Sequence, residues 1–179
     1  MRAIMESKRL TYRMLSEDDF AAACSFLQDA EVMTAWEHAF SDEEVREFLA
    51  QNIRRFQEDG KGYLLAEDYR LGEPVGVIGL LWEETPEGRK LGVGYILRKK
   101  FWGKGYASEG AKACLDYAFK FLLAEEVVAT IRPQNTRSRK VAERLGMQVQ
   151  GEVVKHYRGK DMPHLIYRIF REEQRRTQE

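Results

Sequence analysis

Between Gly92 and Phe121 the apolar period changes from two to about 3.6 across a basic turn that carries two glycines. Val93, Tyr95 and Leu97 alternate with Gly94, Ile96 and Arg98. After Phe101-Trp102-Gly103-Lys104-Gly105, the residues Ala107, Ala111, Cys114, Leu115, Ala118, Phe119 and Leu122 recur at helical spacing. A strand therefore feeds a helix, which buries one face and turns Ser108, Glu109, Lys112, Asp116 and Lys120 to water. Gly103 and Gly105 remove side chains where the backbone bends sharply or a ligand comes close. The helix start carries the positive end of the dipole, so main-chain N–H groups there suit an anion such as pyrophosphate. Arg98, Lys99, Lys100 and Lys104 crowd the same residues, and a glycine turn with a solvated basic rim is the plainer reading of this turn alone.

The rest of the chain supplies a meander and more helices. Lys8 to Met14 reads as a first strand, and Ser16 with Asp19 as a capping box for a helix that buries Phe20, Ala23, Cys24 and Leu27. A second helix starts near Ser41 with Glu44 in the reciprocal position and ends at Gly60-Lys61-Gly62. Strands follow at Tyr63–Ala66 and Val75–Trp82, and the next turn holds Glu83, Glu84, Pro86 and Gly88. Glu83 and Glu84 read as solvated turn residues, or as bases if the turn folds over a cleft. Beyond the central helix come a strand at Glu126–Ile131, a helix capped by Asn135 and ended by Gly146, and closing strands at 147–154 and 164–170. A polar connection with Gly159 and Pro163 separates those strands, and 171–179 is a frayed charged tail. The expectation is one α/β (α+β) domain over 1–179, with a central mixed, mostly antiparallel sheet of about six to seven strands and about four flanking helices.

Several segments together resemble the GNAT N-acetyltransferase superfamily: Ile96-Leu97-Arg98, Trp102 through Glu109, Asn135-Thr136-Arg137-Ser138, and Ala142 through Met147. The resemblance runs from near Leu10 to near Tyr167 and is strongest to the RimJ/RimL-like branch, which acetylates N-terminal amines of ribosomal proteins. It implies acetyl-CoA as acetyl donor and no metal. The family's Arg/Gln-x-x-Gly-x-Gly/Ala loop maps onto Trp102, Gly103, Lys104, Gly105, Tyr106 and Ala107, with Trp102 departing from the usual first residue. The backbone of Ile96, Leu97 and Arg98 is expected to pair with the pantetheine amides, and Gly103 through Ser108 to hold the pyrophosphate. Asn135 is expected near the pantetheine arm, Arg139, Lys99 and Lys100 near phosphate, and Ser138 as proton donor to the leaving thiolate. Without the resemblance, Asn135 and Ser138 are fully explained as N-cap and N3 of a helix. Val32 to Phe40 maps onto the acceptor wall, which makes Glu37 and His38 candidate proton acceptors; the alternative is an exposed loop with one packed Trp.

Charge and cysteine usage bound the remaining classes. Lys+Arg 29 against Asp+Glu 29 announces no nucleic-acid partner. Cys24 and Cys114 both fall in helices and read as buried thiols, so a covalent acetyl-cysteine route is disfavoured. No long apolar run or leader pattern appears, which gives the expectation of a cytoplasmic protein without membrane contact. Exposed sheet edges allow a homodimer. The acceptor amine stays open between a protein N-terminus and a small molecule such as a polyamine, an amino acid or an antibiotic. Two other classes also stay open. Gly103-Lys104-Gly105 with Glu125 and Glu126 half-matches a dinucleotide fingerprint of an NAD-linked oxidoreductase, although antiparallel hairpins precede it; a non-catalytic CoA-binding module would keep the phosphate turn alone.

Overall fold

In the computed structural model, which describes residues 2–177, the chain runs β1 (Met5–Glu6), β2 (Leu10–Met14), α1 (Phe20–Leu27), α2 (Asp42–Asp59), β3 (Gly62–Asp68), β4 (Glu73–Thr85), β5 (Gly88–Leu97), α3 (Tyr106–Lys120), β6 (Glu126–Ile131), α4 (Thr136–Arg144), β7 (Gln148–Tyr157), β8 (Lys160–Phe170) and α5 (Arg171–Thr177). The strands follow the hydrogen-bonded order β1-β2-β3-β4-β5-β6-β8-β7. β5 meets β6 in parallel, while β1·β2, β2·β3, β3·β4, β6·β8 and β7·β8 are antiparallel. This is the expected mixed, mostly antiparallel sheet, but the described residues hold eight strands and five helices. The added strand is β1, only two residues long and held on β2 by Met5↔Tyr12 and Glu6↔Thr11, too short to show a period in sequence. The added helix is α5, where a frayed tail is expected. Glu172 and Glu173 lie in its first turn and Arg175 and Arg176 in its last, matching the dipole, and Glu173 accepts the Phe170 N–H at 3.0 Å. Residues 178 and 179 of that tail lie outside the described residues.

The described chain forms two compact units. The first comprises Met1–Leu80 with Gly94–Cys114. Its core gathers Leu15, Phe26, Leu27, Met33, Val45, Leu49, Leu65, Val77 and Ile96, each such burial worth roughly 1.5–3 kcal/mol. Along α1, Ala23 and Leu27 are buried as the apolar spacing predicts, Phe20 and Cys24 are half-buried, and Phe26 fills the remaining place. α2 starts at the expected box: Ser41 Oγ accepts the Glu44 N–H at 3.2 Å and Glu44 Oε2 accepts the Ser41 N–H at 2.8 Å. Buried Asn52 exchanges two 2.8 Å hydrogen bonds with the Tyr63 backbone, acting as a surrogate strand for the start of β3.

The second unit comprises Leu81–Val93 with Leu115–Glu179. β8 lies between β6 and β7, and Val127, Val128, Ile166, Tyr167 and Ile169 are buried there. The expected polar connection is instead a two-residue turn at Arg158 (φ 50°) and Gly159 (φ 73°), so β7 and β8 both run longer. Pro163 sits inside β8. It pairs with Val154 of β7, and β8 reaches β6 only from Leu165 onward, so at 163 the missing N–H interrupts no ladder among the described residues.

Candidate active site

The glycine turn is built as a cradle. Trp102 Nε1 donates to the Leu97 carbonyl at 3.0 Å and folds the turn back on the end of β5, while Phe101 is buried beneath it. Gly103 and Gly105 have φ of 69° and 80°, a conformation that other residues adopt at a cost of roughly 1–2 kcal/mol. A Cβ on Gly103 would meet nothing within 4 Å, so the space above the turn is open. The first helical hydrogen bond of α3 joins the Glu109 N–H to the Gly105 carbonyl at 3.0 Å. The N–H groups that precede it, through Ser108, have no acceptor within the helix by geometry.

Arg9, which the sequence reading passes over as a basic residue on an alternating strand, holds this cradle from behind. Its Nη1 donates to the Lys104 carbonyl at 3.0 Å, and its guanidinium carbon lies 3.9 Å from the Tyr106 ring centroid. A Cβ on Gly105 would stand 3.5 Å from Arg9 Nη2. Arg9 also gives Nε and its backbone N–H to the two carboxylate oxygens of Glu109, each at 2.7 Å, and Ser7 Oγ adds a third donor at 2.7 Å. Burial alone would raise the Glu109 carboxyl, but the hydrogen bonds from Ser7 and Arg9 hold it below its ordinary pKa. Beneath Arg9, the Tyr106 hydroxyl donates to Asp68 Oδ2 at 2.6 Å, a buried bond that draws the Asp68 carboxyl down; the Arg70 and Leu71 N–H groups satisfy its other oxygen. The Arg9–Glu109 contact joins residues 100 apart, and no local pattern announces it.

The basic rim is engaged. Arg98 Nη1 donates to the Pro74 carbonyl at 2.9 Å and lies 3.4 Å from Glu73, which also takes Lys100; Lys99 pairs with Glu31 at 2.6 Å, and Lys104 Nζ reaches the Lys100 carbonyl at 2.8 Å. Along the expected pantetheine edge, Ile96 is buried, the Leu97 carbonyl takes Trp102, and the Arg98 N–H goes to the Val75 carbonyl at 2.9 Å.

Glu37 and His38 follow a short turn at Thr34–Trp36. Glu37 adopts φ 63° and gives its N–H to the Thr34 carbonyl at 3.0 Å. His38 Nδ1 lies 3.1 Å from the Trp36 carbonyl and Nε2 2.9 Å from Glu44 Oε1. Both ring nitrogens thus face acceptors. In the second unit, Asn135 Oδ1 accepts the Ser138 N–H at 3.3 Å, the cap expected from sequence, so Ser138 stands on the first turn of α4. Arg139 donates to the Tyr167 hydroxyl and to the Pro133 carbonyl, each at 3.0 Å, and the hydroxyl of buried Tyr167 donates to Glu143 Oε1 at 2.9 Å, so Arg139 ties α4 down. Burial pushes the Cys114 thiol up to about 12 and also raises Cys24, so neither is poised as a thiolate nucleophile. Among the described residues no group of three or more His, Cys, Asp or Glu is placed to hold a metal, and no helix is long and apolar enough to cross a membrane.

The chain is similar to known proteins. A family model described as an acetyltransferase (GNAT) domain matches residues 9–148. The Bacillus subtilis protein YkkB is 34% identical over 140 residues, which is 78% of this chain and 81% of that one. The crystal structure of a GNAT-family acetyltransferase from Bacillus anthracis superposes with a TM-score of 0.80 at 28% identity, covering 94% of this chain and 99% of that one. RimL, a ribosomal L7/L12 α-N-protein acetyltransferase solved in complex with coenzyme A, shares the fold with a TM-score of 0.77 at 20% identity, covering 94% and 98%.

Proposed function

This chain belongs to the GNAT acetyltransferase family, and from that premise we propose that it transfers an acetyl group from acetyl-CoA directly to a primary amine, the N-terminal amine of a protein such as a ribosomal protein. The cradle at Trp102–Ser108 carries this reading: two left-handed glycines, open space above Gly103 and unpaired first-turn N–H groups fit a pyrophosphate. The protein-acceptor half is supported by the fold shared with RimL, whose substrate is a ribosomal protein.

Acetyl-CoA supplies a thioester, an acetyl group already activated toward attack. The chain's residues then divide the work. Gly103 through Ser108 bind the pyrophosphate through backbone N–H groups, with Arg98, Lys99 and Lys100 exchanging Glu73 and Glu31 for phosphate. Ile96 and Leu97 align the pantetheine arm beside the end of β5. Asn135 contacts that arm, and the Ser138 hydroxyl protonates the departing thiolate. Glu37 and His38 line the acceptor side, where His38, after releasing Glu44, takes the amine proton directly or through water.

Calorimetric titration with acetyl-CoA and, separately, NADH tests the donor. Micromolar acetyl-CoA binding that disappears in Gly105→Glu supports the proposal; NADH binding without acetyl-CoA binding overturns it. CoA release with ribosomal N-terminal peptides, polyamines and amino acids then ranks acceptors, and preference for a small amine overturns the protein-acceptor half. Ser138→Ala with unchanged turnover and pH profile at intact acetyl-CoA binding removes Ser138 as the acid.

A further inference from the structure

The peptide group between Lys104 and Gly105 is gripped at one end only. Its carbonyl accepts Arg9 Nη1 at 3.0 Å, while its N–H, that of Gly105, meets no acceptor among the described residues. A trans peptide is planar, so its C=O and N–H point in opposite directions, and no peptide bond among the described residues is cis. Holding the carbonyl toward Arg9 therefore aims the Gly105 N–H away from Arg9. Residue 105 does not fix this orientation by itself. It is a glycine at φ 80°, and turning the peptide over would carry it to negative φ, which glycine adopts as readily. The restraint comes from outside the turn, and Arg9 supplies it.

Arg9 is itself immobilised. Its Nε and its backbone N–H both bind the Glu109 carboxylate at 2.7 Å, its guanidinium carbon lies 3.9 Å from the Tyr106 ring centroid, and its carbonyl accepts the Tyr69 N–H at 3.2 Å. All of these residues belong to the first unit. An ordinary ion pair is built differently: in the second unit Lys155 Nζ of β7 meets Glu83 of β4 at 2.8 Å, with side chains 36% and 21% exposed. With Glu109 in contact, Arg9 and its partner carry no net charge together, so Arg9 does little to attract an anion from a distance. What it contributes is the direction of one donor.

We propose that Arg9 is a positioning residue for the acetyl donor: by holding the Lys104 carbonyl it keeps the Gly105 N–H presented to the pyrophosphate, and so it acts on acetyl-CoA through another group. This rests on the acetyltransferase reading, with the glycine cradle as the pyrophosphate site. The contribution is confined to the phosphate-bearing end of the donor. A thioester that lacks the pyrophosphate gains nothing from an aimed Gly105 N–H, so Arg9 sets the preference for acetyl-CoA over an acetylated pantetheine. Glu109, Tyr106 and Tyr69 serve the same end one step further back, because a mobile guanidinium would leave the peptide free to turn over.

Arg9→Lys keeps a cation beside Glu109 but replaces the planar fork with a single ammonium that cannot meet the carboxylate and the Lys104 carbonyl in the same directions. The KM for acetyl-CoA is expected to rise about tenfold or more, the worth of one hydrogen bond to a charged group, with kcat unchanged. The kcat/KM for S-acetylpantetheine should stay at the wild-type value, whereas a general loosening of the fold would lower activity with both donors. Gly105→Ala reaches the same peptide from its other end. A Cβ there meets only Arg9 Nη2 at 3.5 Å, an ordinary contact, but alanine disfavours φ 80° and turns the peptide over. A similar loss of acetyl-CoA affinity is expected, and the double variant should lose little more than either single one, since both act through one N–H. For a readout independent of turnover, the Gly105 amide resonance in protein carrying isotope-labelled glycine, assigned by its loss in Gly105→Ala, is followed as inorganic pyrophosphate or CoA is added. Either ligand should move it in wild type and leave it nearly unmoved in Arg9→Lys. A wild type that responds to neither ligand overturns the pyrophosphate reading of the cradle, and the role of Arg9 with it. A wild-type response that Arg9→Lys retains, equal losses with both thioesters, or additive losses in the double variant overturns the role of Arg9 alone.

Discussion

The glycine cradle and the Glu83–Lys155 pair are both charged sites, yet they are built on opposite principles. Behind the cradle, Glu109 takes three donors at 2.7 Å, Arg9 spans Glu109, Lys104 and Tyr106, and Asp68 is buried under Tyr106. Several anchors hold each group, and losing the Arg9 side chain leaves the partly buried Glu109 carboxylate without its charged partner. Glu83 and Lys155 share one partly exposed contact. Preorganised N–H groups at a helix start need no reordering when an anion binds.

The contrast can be broken by substitution. The largest effect is expected from Gly105→Glu, which forces a side chain to φ 80° beside Arg9 and brings a negative charge to the proposed anion site. Acetyl-CoA affinity measured by calorimetry should fall at least 100-fold, about 3 kcal/mol. Next is Arg9→Met, which strands the Glu109 carboxylate. Thermal unfolding should show a loss of about 2–3 kcal/mol, and Arg9→Met combined with Glu109→Gln should recover part of it, a coupling that an ordinary surface pair would not show.

Acidification sharpens the comparison further. Asp68 and Glu109 both have folded pKa values below their unfolded ones, so their contribution is complete above the unfolded values, about 4, and is lost as pH falls through the folded values. Circular dichroism melts from neutral pH downward should show the wild type losing stability in that acid range, with a shallower loss in Asp68→Asn, which starts from a lower plateau. The smallest effect is expected from Lys99→Ala. Its pair with Glu31 is more than half exposed on both sides, so stability should move by no more than about 0.5 kcal/mol. A loss of acetyl-CoA affinity beyond threefold in that variant would show that Lys99 exchanges Glu31 for phosphate.

Legibility in the sequence follows the range of the interaction. α3 begins at Tyr106 and β6 spans Glu126–Ile131 as their periodicity predicts, because both are decided by neighbours a few residues away. The same holds for the Ser41–Glu44 box and the Asn135 cap. Glu109 reads as a water-facing residue of an amphipathic helix, and only tertiary packing brings Ser7 and Arg9 to it. Glu83 escaped for a related reason. Pro86 and Gly88 mark a turn, but β4 extends to Thr85 because its hairpin with β5 is tight, which moves Glu83 from loop to sheet. Pro163 misled in the same direction, since a strand paired on one side tolerates it.

Because Arg9 closes on Lys104, Tyr106 and Glu109, the glycine cradle cannot be complete on a nascent chain until residue 109 has left the ribosome and met residue 9. Contacts of such sequence separation form late and slowly. A ligand that recognises only the finished receptacle then reports completed folding, and at concentrations well above its Kd it holds newly made molecules in that state by mass action.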